Sequence, residues 1–426
     1  DAMVMNLTAQ TEALNVTTAN GTNGVTFGTT AVANKFTGGT GVDTLTFGTQ
    51  AALAAAGAST GGTNTDILTI AAASLLIVDA NFANISLFQT LTLSGTANTV
   101  VLGTNAQATG IATVIGGSAA TTVTSTMSST VTVDTNTNAS TSFVTGAATG
   151  NYILTTTDVL TDTITATGSS GTIQVAMGNS TGSAVAFAAG SGNITLSGGD
   201  ASDTVTVTGM ATASQSFVST ATSIITITAG AGAQTITTGA GADTITGGAG
   251  ADAITAGAGT NHILFTSTTF AGMVLEGGDT MAAYTGLAAA DTTMLNFATG
   301  LLNNGTSNKL DAVTATTQTI GANDVVLVAS DAAAGANDMT TAAGALAAFN
   351  AVYTTQTNFA SGDEVLFVAS GTAAAATANT YMWMVQKGDA ALASTDFTLV
   401  AVATGIADAT AAVFGTDAMT ITTLAL

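Results

Sequence analysis

The sequence predicts an all-β chain: a parallel β-helix or β-roll solenoid, followed by a mixed β-rich C-terminal module with a short helix. Residues 229–264 are four nine-residue units in direct succession, AGAGAQTIT, TGAGADTIT, GGAGADAIT and AGAGTNHIL. Short alternating runs of β-branched residues fill the tract before them, at 130–133, 163–165, 194–196, 204–207 and 224–228. Proline is absent from all 426 residues, and Gly, Ser and Asn punctuate the runs.

The nonapeptides come first because their chemistry is the most specific. Each has Gly at its second and fourth positions, a polar acceptor at its sixth (Gln234, Asp243, Asp252, Asn261) and Ile at its eighth (Ile236, Ile245, Ile254, Ile263). Paired glycines allow φ > 0 and a tight turn with inward carbonyls. The Asp adds a carboxylate to those carbonyl oxygens, the hard-oxygen environment that Ca²⁺ takes at ~2.3–2.6 Å. The x-Ile-x triplet then makes a short strand with one side chain inward. Turn, strand, turn, strand is one coil, and it needs a neighbour to bury its Ile.

The same unit occurs alone earlier. GGTGVDTLTF at 38–47 places Asp43 at the ligand position and Leu45 inside, and GGTNTDILT at 61–69 offers Asp66, with Asn64 in place of the second-turn glycine. These are either solenoid coils or ordinary Asp-containing turns. Between them, the Ala-rich residues 51–58 suit a short helix. Residues 94–228 read as many short strands, of a β-helix or a sandwich; the adjoining nonapeptides favour the β-helix. Within them GGDASDTVT at 198–206 is a degenerate unit with Asp203 at its sixth position. Residues 274–281 hold a truncated turn with Glu276 and Asp279 as oxygen ligands. Residues 337–353 read as a helix capped by Asn337 or Asp338, with Leu346 and Phe349 as its docking stripe and Gly344 weakening it. Residues 380–389 and 397–400 form a hairpin-like pair, and Trp383 and Tyr381 suit core positions.

Composition excludes several function classes. Three basic residues (Lys35, Lys309, Lys387) stand against 25 acids, and charged residues are only 7% of the chain; ordinary surfaces carry ~25%. Thr, Ser and Asn must therefore serve as the polar surface, which repels copies of itself poorly. A net charge of −22 disfavours nucleic acid and anionic lipid and favours divalent cations. No apolar run is long enough for a membrane span. The first ten residues show neither a basic n-region nor an apolar h-region.

The nonapeptides resemble the GGxGxDxUx repeats of repeats-in-toxin (RTX) proteins, which fold as calcium-loaded β-rolls. The resemblance implies that alternate units share an ion, pairing Asp243 with Asn261 and Asp252 with Gln234. Asn and Gln bring no charge, which lowers the expected affinity. The phrase Ile85 to Leu93 (ISLFQTLTL) resembles a rung of Gram-negative surface-layer proteins and large RTX adhesins, with Gln89 where Glu is usual, although a plain strand pair also explains it. Asn296 to Gly300, with Asn308 to Asp311, resembles the passage that closes RTX repeats. Residues 380–389 and the uncharged tail 419–426 resemble the end of type I-secreted proteins.

These likenesses imply a structural, self-assembling surface-layer (S-layer) protein that forms a calcium-dependent lattice on a bacterial cell. Its segments would be a Thr/Val/Gly-rich solenoid at 1–228, an RTX β-roll at 229–280, and a C-terminal module carrying the export signal at 281–426. The implied cofactor is Ca²⁺, held by Asp43, Asp66, Asp203, Gln234, Asp243, Asp252, Asn261 and Asp279. Other copies of the chain are its partners, with cell-surface polysaccharide as a further one through a region that the sequence does not mark. The alternative is the C-terminal part of a secreted RTX adhesin or a matrix or filament protein.

Catalytic chemistry finds little support. There is no Cys and no Arg, and His262 is the sole histidine, placed as a ligand, a base or a coil-surface residue. Serines lack an activating partner. The carboxylate pairs Asp200/Asp203 and Asp363/Glu364 suggest glycosidase-like chemistry, but their Gly-rich turns suit calcium or solvent better. A calcium-stabilised β-helical polysaccharide enzyme would need a groove lined by Asp and Lys387.

Overall fold

The computed structural model describes residues 2–72, 75–95, 98–118, 120–135, 141–145, 149–156, 161–178, 182, 184–210, 215–265, 279–282, 292–298, 309–313, 324–329, 337–354, 359, 361, 363–371, 379–388, 391–404 and 419–424. The chain forms two compact units, Asp1–Gly209 and Met210–Leu426. It is an all-β parallel solenoid of about 11 turns with few helices, and a C-terminal sheet with a short helix.

In the first unit, parallel strands from successive coils stack in register. Val25, Leu45, Leu68, Leu91, Val114, Val133, Leu154, Val175 and Leu196 form one continuous column. Every member is at most 1% exposed. The column exists because a period-2 strand sends alternate residues inward and the coil repeat brings equivalent positions over one another. A second row runs Ile77, Val100, Val123, Phe143, Ile164, Phe187 and Val207. Burial of each such side chain contributes roughly 1.5–3 kcal/mol. Aromatic pairs fill the wider places, with Phe27 and Phe47 ring centroids 5.8 Å apart and Phe143 edge-on to Tyr152 at 5.2 Å.

Local expectations hold with shifts at the ends. The Ala-rich stretch is helical over Gln50–Ala54, where the Thr49 hydroxyl accepts the Ala52 N–H. The rung at residues 85–93 is two short strands, Ile85–Ser86 and Thr90–Leu93, joined through Leu87, whose φ is +59°. A helix that the sequence did not signal, Thr104–Thr109, is capped from the previous coil. Asp79 Oδ1 accepts the N–H groups of Gly103 and Ala106, at 2.8 and 2.9 Å.

In the second unit the nonapeptide strands alternate between two sheets. Thr235–Thr237 pairs with Ala253–Thr255, stacking Ile236 on Ile254, while Thr244–Thr246 pairs with the strand Thr260–Phe265, stacking Ile245 on Ile263. Strands 18 residues apart are therefore neighbours on one side. The C-terminal sheet is antiparallel at Glu364–Gly371, Asn379–Gln386 and Phe397–Thr404, the hairpin expected from the sequence. Against one face lies the helix Ala342–Val352, burying Ala345, Ala348, Phe349 and Val352, with Leu346 only partly covered. Its cap is Thr341, whose hydroxyl accepts the Gly344 N–H at 3.1 Å, and not Asn337 or Asp338. Asp338 closes the preceding turn instead: its carbonyl accepts the Thr341 N–H. Gly344 is needed, because a Cβ there would collide with that same carbonyl. Trp383 and Tyr381 lie in the core with Phe349.

Candidate metal centre

The turns that carry the sixth-position residues stack directly on one another. Gly248, Gly250 and Gly259 have φ of +87°, +126° and +111°, which L side chains rarely adopt. A Cβ on Gly259 would strike the Gly241 carbonyl, and one on Gly257 the Gly239 carbonyl, so glycine also sets the spacing between coils. Beside these turns a cleft of about 340 Å³ opens, lined by Thr237, Thr238, Gly239 and Gly257 among others.

All four sixth-position side chains are buried, at 0–1% exposure. Each accepts a main-chain N–H from the equivalent position one coil earlier, or donates its own to the coil after. Asp252 Oδ1 takes the Gln234 N–H at 2.7 Å, and Asn261 Oδ1 takes the Asp243 N–H at 3.0 Å. The expected partners are thus brought together, Asp243 with Asn261 and Asp252 with Gln234. Asp243 Oδ1 also takes the Ile225 N–H at 2.9 Å, extending the ladder to a residue without an oxygen ligand. His262 lies half-buried on the strand beside it, its N–H on the Asp243 carbonyl at 2.7 Å.

The isolated units separate into two kinds. Asp43 is fully engaged: Oδ1 accepts from the Asn23 amide at 2.8 Å and its N–H at 3.2 Å, and Oδ2 from the Gly39 N–H at 3.0 Å. Asp203 likewise holds the Gly182 N–H on Oδ1 and the Asp200 N–H on Oδ2, at 3.0 and 2.7 Å. Asp66 differs. Its Oδ1 takes the Asp43 N–H at 2.7 Å, while Oδ2 is buried without a hydrogen-bond partner, as is Asp243 Oδ2. Asp279 begins the strand Asp279–Ala282, and its side chain and Glu276 lie outside the described residues. Sequence reasoning missed Asp162, buried mid-solenoid with Oδ1 on the Thr141 N–H at 2.7 Å. Only its place in an alternating run, at a position that turns inward, could have marked it.

Among the described residues six carboxylates are therefore buried (Asp43, Asp66, Asp162, Asp203, Asp243, Asp252), in a chain with three basic residues. Of those three, Lys35 is exposed on its strand and Lys387 is buried with Nζ on the Phe359 carbonyl at 2.5 Å, over the Phe359 ring. Side-chain cations are too few to neutralise these carboxylates, and an uncompensated buried charge is costly. The donor set of carboxylate, carboxamide and main-chain oxygens, with unpartnered oxygens at Asp66 and Asp243, fits a hard dication. In the repeats the ion would be held by Asp243 with Asn261 on one side and Asp252 with Gln234 on the other.

Residues 228–263 match the family model for the RTX calcium-binding nonapeptide repeat, in four copies. These coils bind calcium. No curated protein and no solved structure matches the chain. Proteins built on this repeat are typically secreted and extracellular, and the repeats mark this one as a secreted calcium-binding protein. Among the described residues no helix is long and apolar enough to cross a membrane.

The ion-free sites have a defined pH dependence. Burial pushes the Asp243 and Asp252 carboxyls up to about 6, against the lowering pull of the Thr238 hydroxyl and Ile225 N–H on the first and the Gln234 N–H on the second. A carboxyl whose folded pKa lies above its unfolded value binds more protons when folded, so stability falls as pH rises from about 4 to about 6. Without calcium, the second unit is expected to melt lower at pH 7.5 than at pH 4.5. Calcium binding must displace those protons, so affinity should drop by about tenfold per pH unit, per carboxylate, below pH 6. Calcium titrations across pH 4.5–7.5 check both; a flat profile would remove the two carboxylates from the site.

Proposed function

We propose that this chain is the calcium-dependent, self-assembling part of a bacterial surface-layer protein, tiling the cell exterior as a two-dimensional lattice. The observation that carries it is the set of six buried carboxylates among the described residues, in a chain with only three basic residues and in coils whose outer positions are rich in Thr, Ser and Asn. Where calcium is scarce, the Asp-bearing turns repel and the chain stays loose enough for type I export. Outside, at millimolar calcium, metal binding becomes folding free energy. The stiffened coils then present polar, weakly charged faces that pack laterally against other copies, with residues 281–426 carrying the export signal and 229–280 acting as the calcium-loaded roll.

Sedimentation and negative-stain imaging of the full chain, in calcium and in EGTA, test this. Sheets in calcium that disperse in EGTA are expected. Isolated rods or filaments would select the adhesin or matrix reading instead. An association state indifferent to calcium ends both. A polysaccharide-active enzyme has less support: Lys387 is committed to Phe359, and Asp200 and Asp203 spend their oxygens on a turn. The Ser202 hydroxyl and N–H hold the Asp200 carboxyl below the usual range, which suits an acceptor and not a proton donor.

A further inference from the structure

We infer that the first unit meets a second copy of the chain through one particular face, the outer side of the sheet whose inner row runs from Ile77 to Val207. The inference rests on the assembly reading above and names the surface that assembly uses. Alternate residues of these strands turn outward. In register they form one row through Leu76, Thr99, Thr122, Ser142 and Thr163, and a second from Val101 through Val144 to Thr208. None of these side chains is buried.

Charge singles this face out. Every described residue that its strands turn outward is Thr, Ser, Val, Leu or Ala. The unit's other two sheets each carry a charge on the outside. Asp134 stands in the outer row of the sheet that holds Leu91 and Val133, in register with Ile115 and Thr155, and Lys35 is exposed on the short strand Lys35–Thr37. At its first edge the face is apolar as well as uncharged, with Leu76 59% and Val78 37% exposed. A net charge of −22 makes copies repel over most of their surface, and here two can approach without that cost. A partner with an ordinary surface, ~25% charged, would bury its charges against side chains unable to pair with them, which is unfavourable. The surface that fits is itself free of charge, and this chain, with 7% charged residues, supplies one. Among the described residues no aromatic side chain turns outward from these strands to give a sugar ring a platform.

The same face on both copies makes a closed two-fold pair, its rows of methyls and hydroxyls meeting at the ~10 Å spacing of packed sheets. Size sets its strength. Seven strands of this sheet lie in the first unit. At ~4.8 Å between strands and ~3.3 Å per residue they span about 30 by 17 Å, roughly 500 Å² per copy. Stable pairs bury ~800 Å² on each partner. One such contact is therefore weak, and it holds only alongside others in an assembly.

The chain has no cysteine, so a single introduced thiol reports on its own surroundings. Thr122→Cys lies mid-face, with Thr124→Cys on the same strand as its repeat, and Thr92→Cys, on the sheet that carries Asp134, is the control. Circular dichroism matching that of the unaltered chain verifies the fold of each. Maleimide labelling of the full chain in millimolar calcium, below and above the concentration at which it associates, tests the inference. Once associated, Thr122→Cys is expected to label ~10-fold or more slowly, because the centre of a contact excludes water, while Thr92→Cys changes far less. An unchanged rate for Thr122→Cys and Thr124→Cys, or equal slowing in all three variants, overturns the inference and leaves calcium-dependent assembly standing. Protection of Thr122→Cys in a species that sediments only as a dimer upholds the inference and ends the lattice reading. A chain that stays monomeric at every concentration ends both.

Discussion

Removing calcium with EGTA should lower the melting midpoint of the second unit by about 15–30 °C, more than any single substitution. A site saturated to a thousand times its dissociation constant stabilises the fold by ~4 kcal/mol. The roll has two such sides, Asp243–Asn261 and Gln234–Asp252. Together they approach the ~5–15 kcal/mol that holds a whole domain folded. For a unit of this size, each kcal/mol moves the midpoint by ~2–4 °C. Scanning calorimetry with and without EGTA, refilled by excess calcium, measures it. A midpoint that stays within ~2 °C would mean that the buried Asp243 and Asp252 are neutralised by protons alone.

Phe349→Ala should destabilise the C-terminal sheet by ~3–5 kcal/mol. The Phe349 ring is the hub of the aromatic cluster, with centroids 5.1 Å from Tyr353 and Phe367, 5.6 Å from Phe397 and 6.2 Å from Phe359. Two of those contacts, to Phe367 and Phe397, are edge-on, an arrangement worth more than area alone. Trp383 lies in the same cluster and is the chain's single tryptophan, so its fluorescence follows the unfolding directly. Urea titration of Phe349→Ala and Phe349→Leu should show a large drop in midpoint for the first and a small one for the second. Equal, small shifts would mean that the helix docks mainly through Ala345, Ala348 and Val352.

The parts of this molecule that were legible in sequence are those dictated by a repeated local pattern. Gly at two fixed positions, a polar sixth residue and an inward Ile predict both the coil and the pairing of units 18 residues apart, and Ile245 over Ile263 follows. Period-2 runs predict the strands at 194–198 and 204–210 for the same reason. What stayed hidden depends on partners distant along the chain. Asp43 and Asp66 occupy like motifs, yet the Asn23 amide and the Gly39 N–H satisfy the first while the second keeps a bare oxygen. Nothing local distinguishes them; the neighbouring coils do. Asp79 caps a helix some 26 residues later, and Lys387 finds its carbonyl 28 residues earlier. The cap of the helix Ala342–Val352 was misplaced because Asp338 is as good a capping residue as Thr341, and the turn between them decides which is used.

The alternation of strands between two sheets limits how such a chain can change in length. Each nonapeptide crosses from one sheet to the other, and each side chain ladder joins a unit to the second one after it. Gaining or losing nine residues would send every later strand to the opposite wall and break the pairings of Gln234 with Asp252 and of Asp243 with Asn261. Gaining or losing 18 would leave the pattern whole. Duplication in this gene can therefore lengthen the roll only by pairs of units, and a single-unit deletion should be as damaging as a frameshift in register.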